Sequence, residues 1–411
     1  MRAPTIAILR CDIRAERRSR GVRALAALAA LAGLLGAATL ANAAPVKSAP
    51  AELPPDPGRH PTVAVLPTPA SKHWVWVNDF VFPHMADGTA HLVDGDTGRY
   101  LGTLSTGYSY SHLVLSADGR WIYSPETYFS RGTRGTRTDV VTIYDARTLD
   151  PAGEIRIPPK RASDMPVMGD VALTDDGRYL LIYNFNPAQS ITVVDMKTRR
   201  FVREIPIPGC AFAYPSGPRS FFSVCGDGSA VLIDLARNGQ VVRHHTARLL
   251  PMGADPVTEK PVRVGDVWYF VTFDGRIVPF EVKGERAVVE PSWSLTSAAE
   301  RAQGWRPGGL QQLAVSVRLH RLYAIMHQGG LATHKDPGKT VWVYDLATRR
   351  KVQEIPLKRL ASSIQVTTDA APLLFTVFID GPDLDVYDAV SGHWLRTVPD
   401  VATTPTVLVT P

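Results

Sequence analysis

Short runs of alternating apolar and polar residues, separated by tight turns, recur along the chain from about residue 70 onward. Seven of these runs end near an acidic residue and lead through a turn into another apolar run. The acidic residues are Asp94, Asp145, Asp195, Asp234, Glu281, Asp345 and Asp388. Alternation over a few residues is typical of a half-buried β-strand. Each of these places therefore predicts a β-hairpin.

A second predicted hairpin lies upstream of these places, with its turn at the centre, as in LVLSADGRWIYS and VALTDDGRYLLIY. Asp-Gly turns suit tight hairpins because a positive φ costs these residues little. Two hairpins make a four-stranded antiparallel blade, which cannot bury both of its faces alone. Units that repeat every 39 to 64 residues must therefore stack around an axis. The sequence predicts an all-β fold, a seven-bladed β-propeller.

The propeller is expected to span residues 62–411, preceded by a Pro-rich, extended N-terminal arm at residues 44–61. The first blade is short of one strand, and two segments could supply it. They are TVAVLP at residues 62–67 and TVLVTP at residues 406–411. We favour the C-terminal segment, because a closed ring leaves none of the free strand edges of an open one.

The segment SLTSAAERAQGW interrupts the β pattern before the sixth blade. It predicts a short helix capped by Thr296 or Ser297, with Glu300 completing the cap, that stops at Pro307. This helix would join blade five to blade six. The residues leave two interpretations open. The insertion decorates a binding face of the repeat scaffold, or it is a longer connection that covers core.

The N-terminus has the pattern of a secretory signal at residues 1–43. A basic stretch precedes ALAALAALAGLLGAATL, and ANA follows as a small-residue cleavage site, so we expect cleavage after Ala43. The alternative is a membrane anchor, but 17 residues, eight of them Ala, are marginal for crossing ~30 Å of hydrocarbon. We therefore predict export, with no membrane span after signal removal. Arg17-Arg18 leaves the choice between the Sec and twin-arginine routes open.

The charge of +6 does not indicate nucleic-acid binding. Residues 1–43 hold seven Arg against Asp12 and Glu16, so the rest of the chain carries about +1.

Cysteine usage agrees with export. Cys11 leaves with the signal, and the remaining pair, Cys210 and Cys225, is expected to form a disulfide across one hairpin. Two buried free thiols are the alternative.

No motif for catalysis or a cofactor stands out. The sequence contains no G-x-S-x-G, H-E-x-x-H, C-x-x-C or P-loop pattern. DGDTG, Asp94 to Gly98, imitates a calcium loop, but Ser105 stands where the loop needs Glu, which favours a hairpin turn. The pairs His244/His245 and His327/His334 lack further ligands at suitable spacing. We expect neither a metal nor a cofactor on this chain.

Several longer segments carry a family resemblance. They include VNDFVFPHMADGTAHLVDGDTGRYLG, GCAFAYPSGPRSFFSVCGDGS and the stretch from GWRPGG through THK. From about residue 62 to the end, the chain closely resembles the heavy subunit of the quinoprotein amine dehydrogenases, which act on methylamine or aromatic amines. Details such as IMHQGGLATHK and PRSFFSVCGDG look closer to the aromatic amine branch.

This resemblance implies a division of labour between two chains. The heavy subunit is a propeller without redox chemistry, and it pairs with a small light subunit that bears tryptophan tryptophylquinone. Two heavy and two light chains form a periplasmic heterotetramer. It oxidises primary amines to aldehyde and ammonia, and it passes electrons to a blue copper protein of the azurin or amicyanin kind. The resemblance thus places the catalytic residues on the partner.

The resemblance also assigns one residue to the path of the substrate. A Phe of the first blade lines the hydrophobic passage to the quinone in the family, and the segment VNDFVFPHM matches it at Phe82. Phe80 is the alternative in this register. The role would be steric selection among amines. An ordinary packed Phe is the other interpretation.

Arg131, Arg134 and Arg137, in SRGTRGTRTD, are candidates for docking the light subunit or an acidic electron acceptor. A solvated basic loop is the simpler interpretation. Trp305 and Arg306, in GWRPGG, are further docking candidates.

The rival hypothesis for the whole chain is a stand-alone secreted propeller that binds a ligand or a protein.

Overall fold

The computed structural model describes residues 65–108, 110–163, 165–236 and 241–411. The predicted signal and N-terminal arm lie outside these residues. Seven antiparallel sheets of four or five strands follow one another along the chain, which confirms the seven-bladed propeller. In most blades the strands pair in chain order. In blade one the C-terminal strand of the chain also pairs with the first strand, and blades five and six each carry one extra strand off this order.

The first three blades are regular. Blade one holds β1 (Trp74–Asp79), β2 (Gly88–Asp94), β3 (Tyr100–Gly107) and the last strand of the chain. Blade two holds β4 (Val114–Leu115), β5 (Trp121–Arg131), β6 (Arg134–Asp145) and β7 (Pro151–Ile157). Blade three holds β8 (Val171–Leu173), β9 (Tyr179–Asn184), β10 (Ser190–Asp195) and β11 (Arg200–Pro206). A 3₁₀ helix, Phe82–Asp87, joins β1 to β2.

The later blades include two with a fifth strand. Blade four holds β12 (Cys210–Gly217), β13 (Ser220–Cys225), β14 (Ala230–Leu235) and β15 (Val241–His245). Blade five holds β16 (Val262–Val264), β17 (Val267–Val271), β18 (Arg276–Lys283), β19 (Arg286–Val289) and β20 (Trp293–Ser294). The helix α1 (Ala298–Ala302) follows.

Blade six holds β21 (Trp305–Pro307), β22 (Leu313–Ser316), β23 (Arg321–Gln328), β24 (Gly338–Asp345) and β25 (Arg350–Ala361). Its β23–β24 connection contains the short 3₁₀ helix Leu331–Thr333. Blade seven holds β26 (Ser363–Val366), β27 (Leu373–Val377), β28 (Leu384–Asp388) and β29 (Trp394–Val398). The chain ends with β30 (Pro405–Val409).

The ring closes through this C-terminal strand. β30 pairs with β1, and Trp76 lies opposite Val409 in the register. The prediction that the C-terminal segment completes blade one is confirmed. Behind the paired strands, Val75 and Val77 of blade one pack with Phe375 of blade seven in a buried apolar cluster. Each such side chain contributes roughly 1.5–3 kcal/mol by leaving water, so strand pairing and apolar packing both hold the seam.

The recurrent acidic residues build turns. Each lies at or near the end of the strand that is next to the outermost strand of its sheet. Asp145 accepts hydrogen bonds from the backbone N–H groups of Arg147, at 2.8 Å, and Thr148, at 3.3 Å. In the predicted DGDTG turn, Asp94 accepts from the backbone N–H of Asp96 at 2.9 Å. The hairpin interpretation of that segment is confirmed, because its leading carboxylate folds the chain back into β3.

The insertion between blades five and six differs from the prediction at one end. Its start is confirmed, because Ser297 and Glu300 form a reciprocal capping box. Its predicted stop at Pro307 is wrong, since the helix ends at Ala302 and residues 305–307 form β21. Gly304 turns the chain with φ of +83°, and Trp305 then pairs with Gln328. That pairing is a long-range contact that local propensity does not report.

The insertion is tied to the two blades that it connects. Arg301 of α1 donates to the Ser294 hydroxyl of blade five at 2.7 Å. Glu300 forms an ion pair with Lys351 of blade six, and the Lys351 ammonium lies 3.5 Å from the ring centroid of Trp342. These contacts hold the insertion against both blades. Among the described residues, no helix has the length and apolar character needed to cross a membrane.

Candidate partner-binding face around Phe82

One face of the ring gathers most of the candidate residues. Because neighbouring strands of a blade are antiparallel, the connections from second to third strand emerge on the same side as those between blades. The segment that carries Phe82, between β1 and β2, lies there. So do the tip of the β5–β6 hairpin, at residues 131–134, and the β29–β30 connection, at residues 399–404. We call this side the Phe82 face.

The two candidate Phe residues have different surroundings. Phe82 is 44% exposed at the start of its 3₁₀ helix, whereas Phe80 is 1% exposed and belongs to the core. Their rings meet edge to face, with centroids 4.7 Å apart, a favoured geometry for an aromatic pair. Phe82 therefore presents an apolar surface outward, and Phe80 supports it from below.

The backbone next to Phe82 is strained. Val81 has φ of 49° and ψ of 58°, in the left-handed region, which is costly for a β-branched residue. Such a conformation persists only where the surrounding structure holds it. Here the Val81 carbonyl accepts a hydrogen bond from the His84 backbone N–H at 2.8 Å, and the Val81 N–H donates to Asp79 at 3.0 Å.

Asp79 is a buried carboxylate, 2% exposed, beneath this strained segment. Besides Val81, it accepts hydrogen bonds from the backbone N–H groups of Thr403, at 2.6 Å, and Thr404, at 2.8 Å. The His91 ring nitrogen Nε2 lies 3.7 Å from its second oxygen. Burial raises the pKa of Asp79, but the nearby His91 ring and the hydrogen bonds from the three backbone groups outweigh it and lower that pKa to about 2. The carboxylate is therefore charged at neutral pH.

Two of the three candidate arginines are exposed on the Phe82 face. Arg131 and Arg134 lie at the tip of the β5–β6 hairpin, whose strands of 11 and 12 residues extend beyond their neighbours. Arg137 is turned inward, where it donates two hydrogen bonds of 2.7 Å to Asp139 and one of 2.6 Å to the Arg161 carbonyl. The structure thus separates a pair of outward charges from a third that braces the hairpin.

Aromatic side chains surround the base of this hairpin. The rings of Tyr108 and Tyr110 are stacked with centroids 6.0 Å apart, and Phe129 meets Tyr108 edge-on at 5.3 Å. Tyr128 is 38% exposed, and it donates to the buried Glu126 carboxylate at 2.6 Å. Burial raises the pKa of Glu126 in spite of the hydrogen bond from Tyr128. No motif in the sequence indicated this cluster.

Trp305 is only partly exposed and Arg306 is buried. Arg306 is 9% exposed and forms an ion pair with Asp274 at 3.3 Å. Trp305 is half-buried, and its ring centroid lies 5.0 Å from that of Trp342. Both residues help to attach the insertion to the propeller. Their role in docking stays a prediction.

The predicted disulfide is present. Cys210 and Cys225 are bonded and lie opposite each other in the β12–β13 register. Their bond therefore joins two neighbouring strands of blade four. Both sulfur atoms are used within one hairpin, so neither is left for a partner.

Members of the two histidine pairs that were considered as metal ligands contact neighbouring protein side chains. His327 Nε2 lies 2.8 Å from the Thr333 hydroxyl, and His334 stacks on Phe273 with ring centroids 3.9 Å apart. His244 lies 3.6 Å from Glu285. Within the part of the chain that the structure describes, no group of three or more His, Cys, Asp or Glu side chains is placed to hold a metal ion.

A pair of Trp rings tests whether this chain fits a tryptophan-derived quinone. Trp305 and Trp342 lie close together, but Trp342 is 2% exposed and belongs to a buried apolar cluster. The Lys351 ammonium covers its ring. An amine could not reach the Trp342 ring without unpacking the blade. These residues do not fit the reacting group of an amine dehydrogenase.

A model of the family described as methylamine dehydrogenase heavy chain matches residues 71–411. The chain belongs to that family. The match includes every strand of the propeller, from Trp74 to Val409. It also includes the Phe82 face, the disulfide hairpin and the insertion. The chain is thus an amine dehydrogenase heavy subunit by family, which confirms the resemblance seen in the sequence.

Relatives of the methylamine dehydrogenase heavy chain family agree over most of their length. The methylamine dehydrogenase heavy chain of Paracoccus versutus is 32% identical over 361 residues, which cover 85% of this chain and 82% of that protein. That of Methylorubrum extorquens is 31% identical, over 78% of each chain. That of Methylophilus methylotrophus is 27% identical, over 84% of this chain and 85% of its own. All three are named for methylamine.

Solved structures of lower identity share the fold. A functionally unknown protein from Desulfotomaculum acetoxidans superposes with a TM-score of 0.57 at 14% identity, over 82% of this chain and 98% of its own. A putative 6-phosphogluconolactonase from Bacteroides uniformis gives the same TM-score, identity and coverage. At this identity the likeness concerns the propeller architecture alone.

Two residues of the Phe82 face escaped the sequence analysis. Asp79 and Thr404 are 325 positions apart in the chain and meet only because the ring closes. Neither belongs to a motif with a recognisable spacing. The Asp in VND was visible as a polar residue at the end of an apolar run, but nothing local indicated its partner.

Proposed function

We propose that this chain is the heavy subunit of a periplasmic amine dehydrogenase, paired with a light subunit that carries tryptophan tryptophylquinone. Family membership supports the heavy-subunit assignment. The packing of Trp305 and Trp342 supports a cofactor held elsewhere. Bound in the partner, the quinone would oxidise the primary amine to aldehyde and ammonia. The heavy chain would bind the light subunit, shield the site from water and select the amine.

The observation that carries this proposal is the position of Phe82. Its ring is 44% exposed on a backbone segment held from several directions. A ring that must select substrates by shape needs a fixed position, since a mobile one would yield to a larger amine. In our proposal Phe82 forms one wall of the passage to the quinone, and Phe80 fixes that wall.

The light subunit would dock on the Phe82 face. Docking there would cover the exposed Phe82 ring and the aromatic cluster beside the β5–β6 hairpin. Arg131 and Arg134 would meet acidic groups of the light subunit or of a blue copper acceptor, mainly raising the rate of association. The assembly would contain two heavy and two light chains, as the sequence resemblance implies.

The substrate class is the finer part of the proposal. Sequence details favour aromatic amines, with methylamine second, whereas the similar heavy chains are named for methylamine. Both are primary amines that carry an α-proton. Because a Phe at this place is expected across the family, the aromatic preference rests on the sequence details alone.

Co-expression with the light subunit tests the proposal. The heavy chain alone should be colourless and inactive, and the purified complex should show a quinone band and reduce a dye when an amine is added. Benzylamine and methylamine, compared by kcat/KM, would decide the substrate preference. Activity of the heavy chain in isolation, or failure to bind any Cys-rich light chain, would favour the stand-alone binding propeller instead.

A further inference from the structure

Thr404 contacts the backbone on both sides of Val81. Its hydroxyl accepts a hydrogen bond from the Phe82 N–H at 2.9 Å, and its carbonyl accepts one from the Phe80 N–H at 3.2 Å. Thr404 is half-buried in the connection between blades seven and one. The last connection of the chain thus holds the first blade's Phe82 segment.

Asp79 completes the link. Its Oδ1 atom accepts from the Val81 N–H at 3.0 Å, from the Thr404 N–H at 2.8 Å and from the Thr404 hydroxyl at 3.3 Å. One carboxylate oxygen is therefore shared by the strained residue and by the residue that holds Phe82. If Asp79 loses its hydrogen bond to Val81 or its hydrogen bonds to Thr404, the left-handed conformation of Val81 is held less firmly. The direction of the Phe82 ring would then change with the backbone.

We propose that Asp79 and Thr404 are positioning residues for amine selection, which hold Phe82 in the wall of the substrate passage. The proposal rests on the proposed role of Phe82. Neither residue touches the substrate, and each acts through the Phe82 backbone. Since both contacts cross the seam where the ring closes, closure of the propeller and amine selectivity depend on the same hydrogen bonds.

The test uses the complex of heavy and light subunits and the ratio of kcat/KM for benzylamine over methylamine. Thr404→Val removes the hydroxyl that accepts from Phe82 and leaves the backbone contacts to Asp79 in place. The variant also removes the longer hydrogen bond from this hydroxyl to Asp79. We expect the ratio to shift by about 2- to 10-fold, the size of the lost hydrogen bond to the Phe82 N–H. Thr404→Ser should restore it. Thr403→Val is the matched control, because Thr403 is exposed and contacts Asp79 through its backbone N–H.

A second background separates positioning from general loosening of the fold. In a Phe82→Ala complex, where the wall is already absent, Thr404→Val should cause no further shift in the ratio. An equal shift with and without the Phe82 ring would overturn the proposal, since the effect would then not pass through Phe82. Asp79→Asn should behave as Thr404→Val does, and Thr404→Val alone decides the matter if that variant does not assemble.

The outcomes also distinguish this inference from the proposed function. If Phe82→Ala shifts the ratio while Thr404→Val and Asp79→Asn leave it unchanged, Phe82 selects amines but these residues do not position it. If Phe82→Ala itself leaves the ratio unchanged in an active complex, the passage does not run past Phe82. In that case the proposed role of Phe82 fails, and the positioning proposal fails with it.

Discussion

The rings of Phe80 and Phe82 lie edge to face with centroids 4.7 Å apart, but only the Phe82 ring faces outward. The two side chains therefore have different roles. Phe80 fills the core at the seam of the propeller, and Phe82 offers an apolar surface above it. Substitution of Phe80 should therefore mainly lower the stability of the heavy chain, whereas substitution of Phe82 should mainly change amine selectivity.

Phe82→Ala should change amine selectivity with little loss of stability. Removal of an exposed ring from a passage wall should shift the kcat/KM ratio between bulky and small amines by about 10- to 200-fold. The melting temperature and the quinone spectrum of the complex should stay close to those of the parent. Steady-state kinetics with benzylamine and methylamine, together with thermal melts, measure both effects.

Phe80→Ala is the matched comparison. Loss of this buried ring should cost ~3–5 kcal/mol of unfolding free energy, which chemical denaturation of the heavy chain would measure. A Phe80→Ala complex with parental stability and altered selectivity would mean that Phe80, not Phe82, forms the wall. A sharp fall in melting for Phe82→Ala, with an unchanged substrate ratio, would mean that Phe82 serves as core.

The parts of the fold that follow from local chemistry were predictable. The alternating strands and the turn-forming carboxylates, such as Asp145, depend on residues that are close together in sequence. These local patterns were sufficient to predict the seven blades. The end of α1 was not predictable, because Trp305 leaves the helix to pair with Gln328 in another strand. The contact between Asp79 and Thr404 was not predictable either, since it exists only once the ring has closed.

The disulfide between Cys210 and Cys225 should stabilise one hairpin of the isolated heavy chain. Intact-mass analysis with and without reductant should show a difference of two hydrogens in a monomeric chain. Replacing both Cys with Ser should lower the unfolding free energy by about 3 kcal/mol, the chain-entropy value for a loop of this length. An unchanged mass on reduction, or a disulfide-linked dimer, would contradict this assignment.

Arg131 and Arg134 should affect assembly more than stability. Their joint replacement with Ala should slow association with the light subunit or the copper acceptor, and the slowing should weaken as salt is added, because exposed charges are screened. Arg137→Ala is the contrasting variant, since Arg137 is paired with Asp139. It should lower the stability of the heavy chain and leave the salt dependence of association intact. Equal association rates for parent and double variant would remove these residues from the docking surface.

Asp79 should make the heavy chain sensitive to acid. Its pKa of about 2 in the folded chain lies below the value of about 3.9 expected for an unfolded Asp. The unfolded state therefore binds a proton more readily, so the stabilisation is fully present above about pH 4 and is lost as the pH falls toward 2. The difference corresponds to about 2.6 kcal/mol. The sign is that of a carboxylate stabilised in its charged form by the folded structure.

Comparison of the parent chain with Asp79→Asn isolates this contribution from that of other carboxylates. Unfolding free energies would be measured by chemical denaturation of both chains at a series of pH values from 6 to about 2.5. The parent should be the more stable chain at pH 6, and its advantage should shrink by about 2 kcal/mol across the acidic range. Asn cannot titrate, so it lacks this pH-dependent part. An advantage that stays constant with pH would show that Asp79 acts through its shape and not through its charge, and an advantage that grows in acid would reverse the assigned direction of its pKa shift.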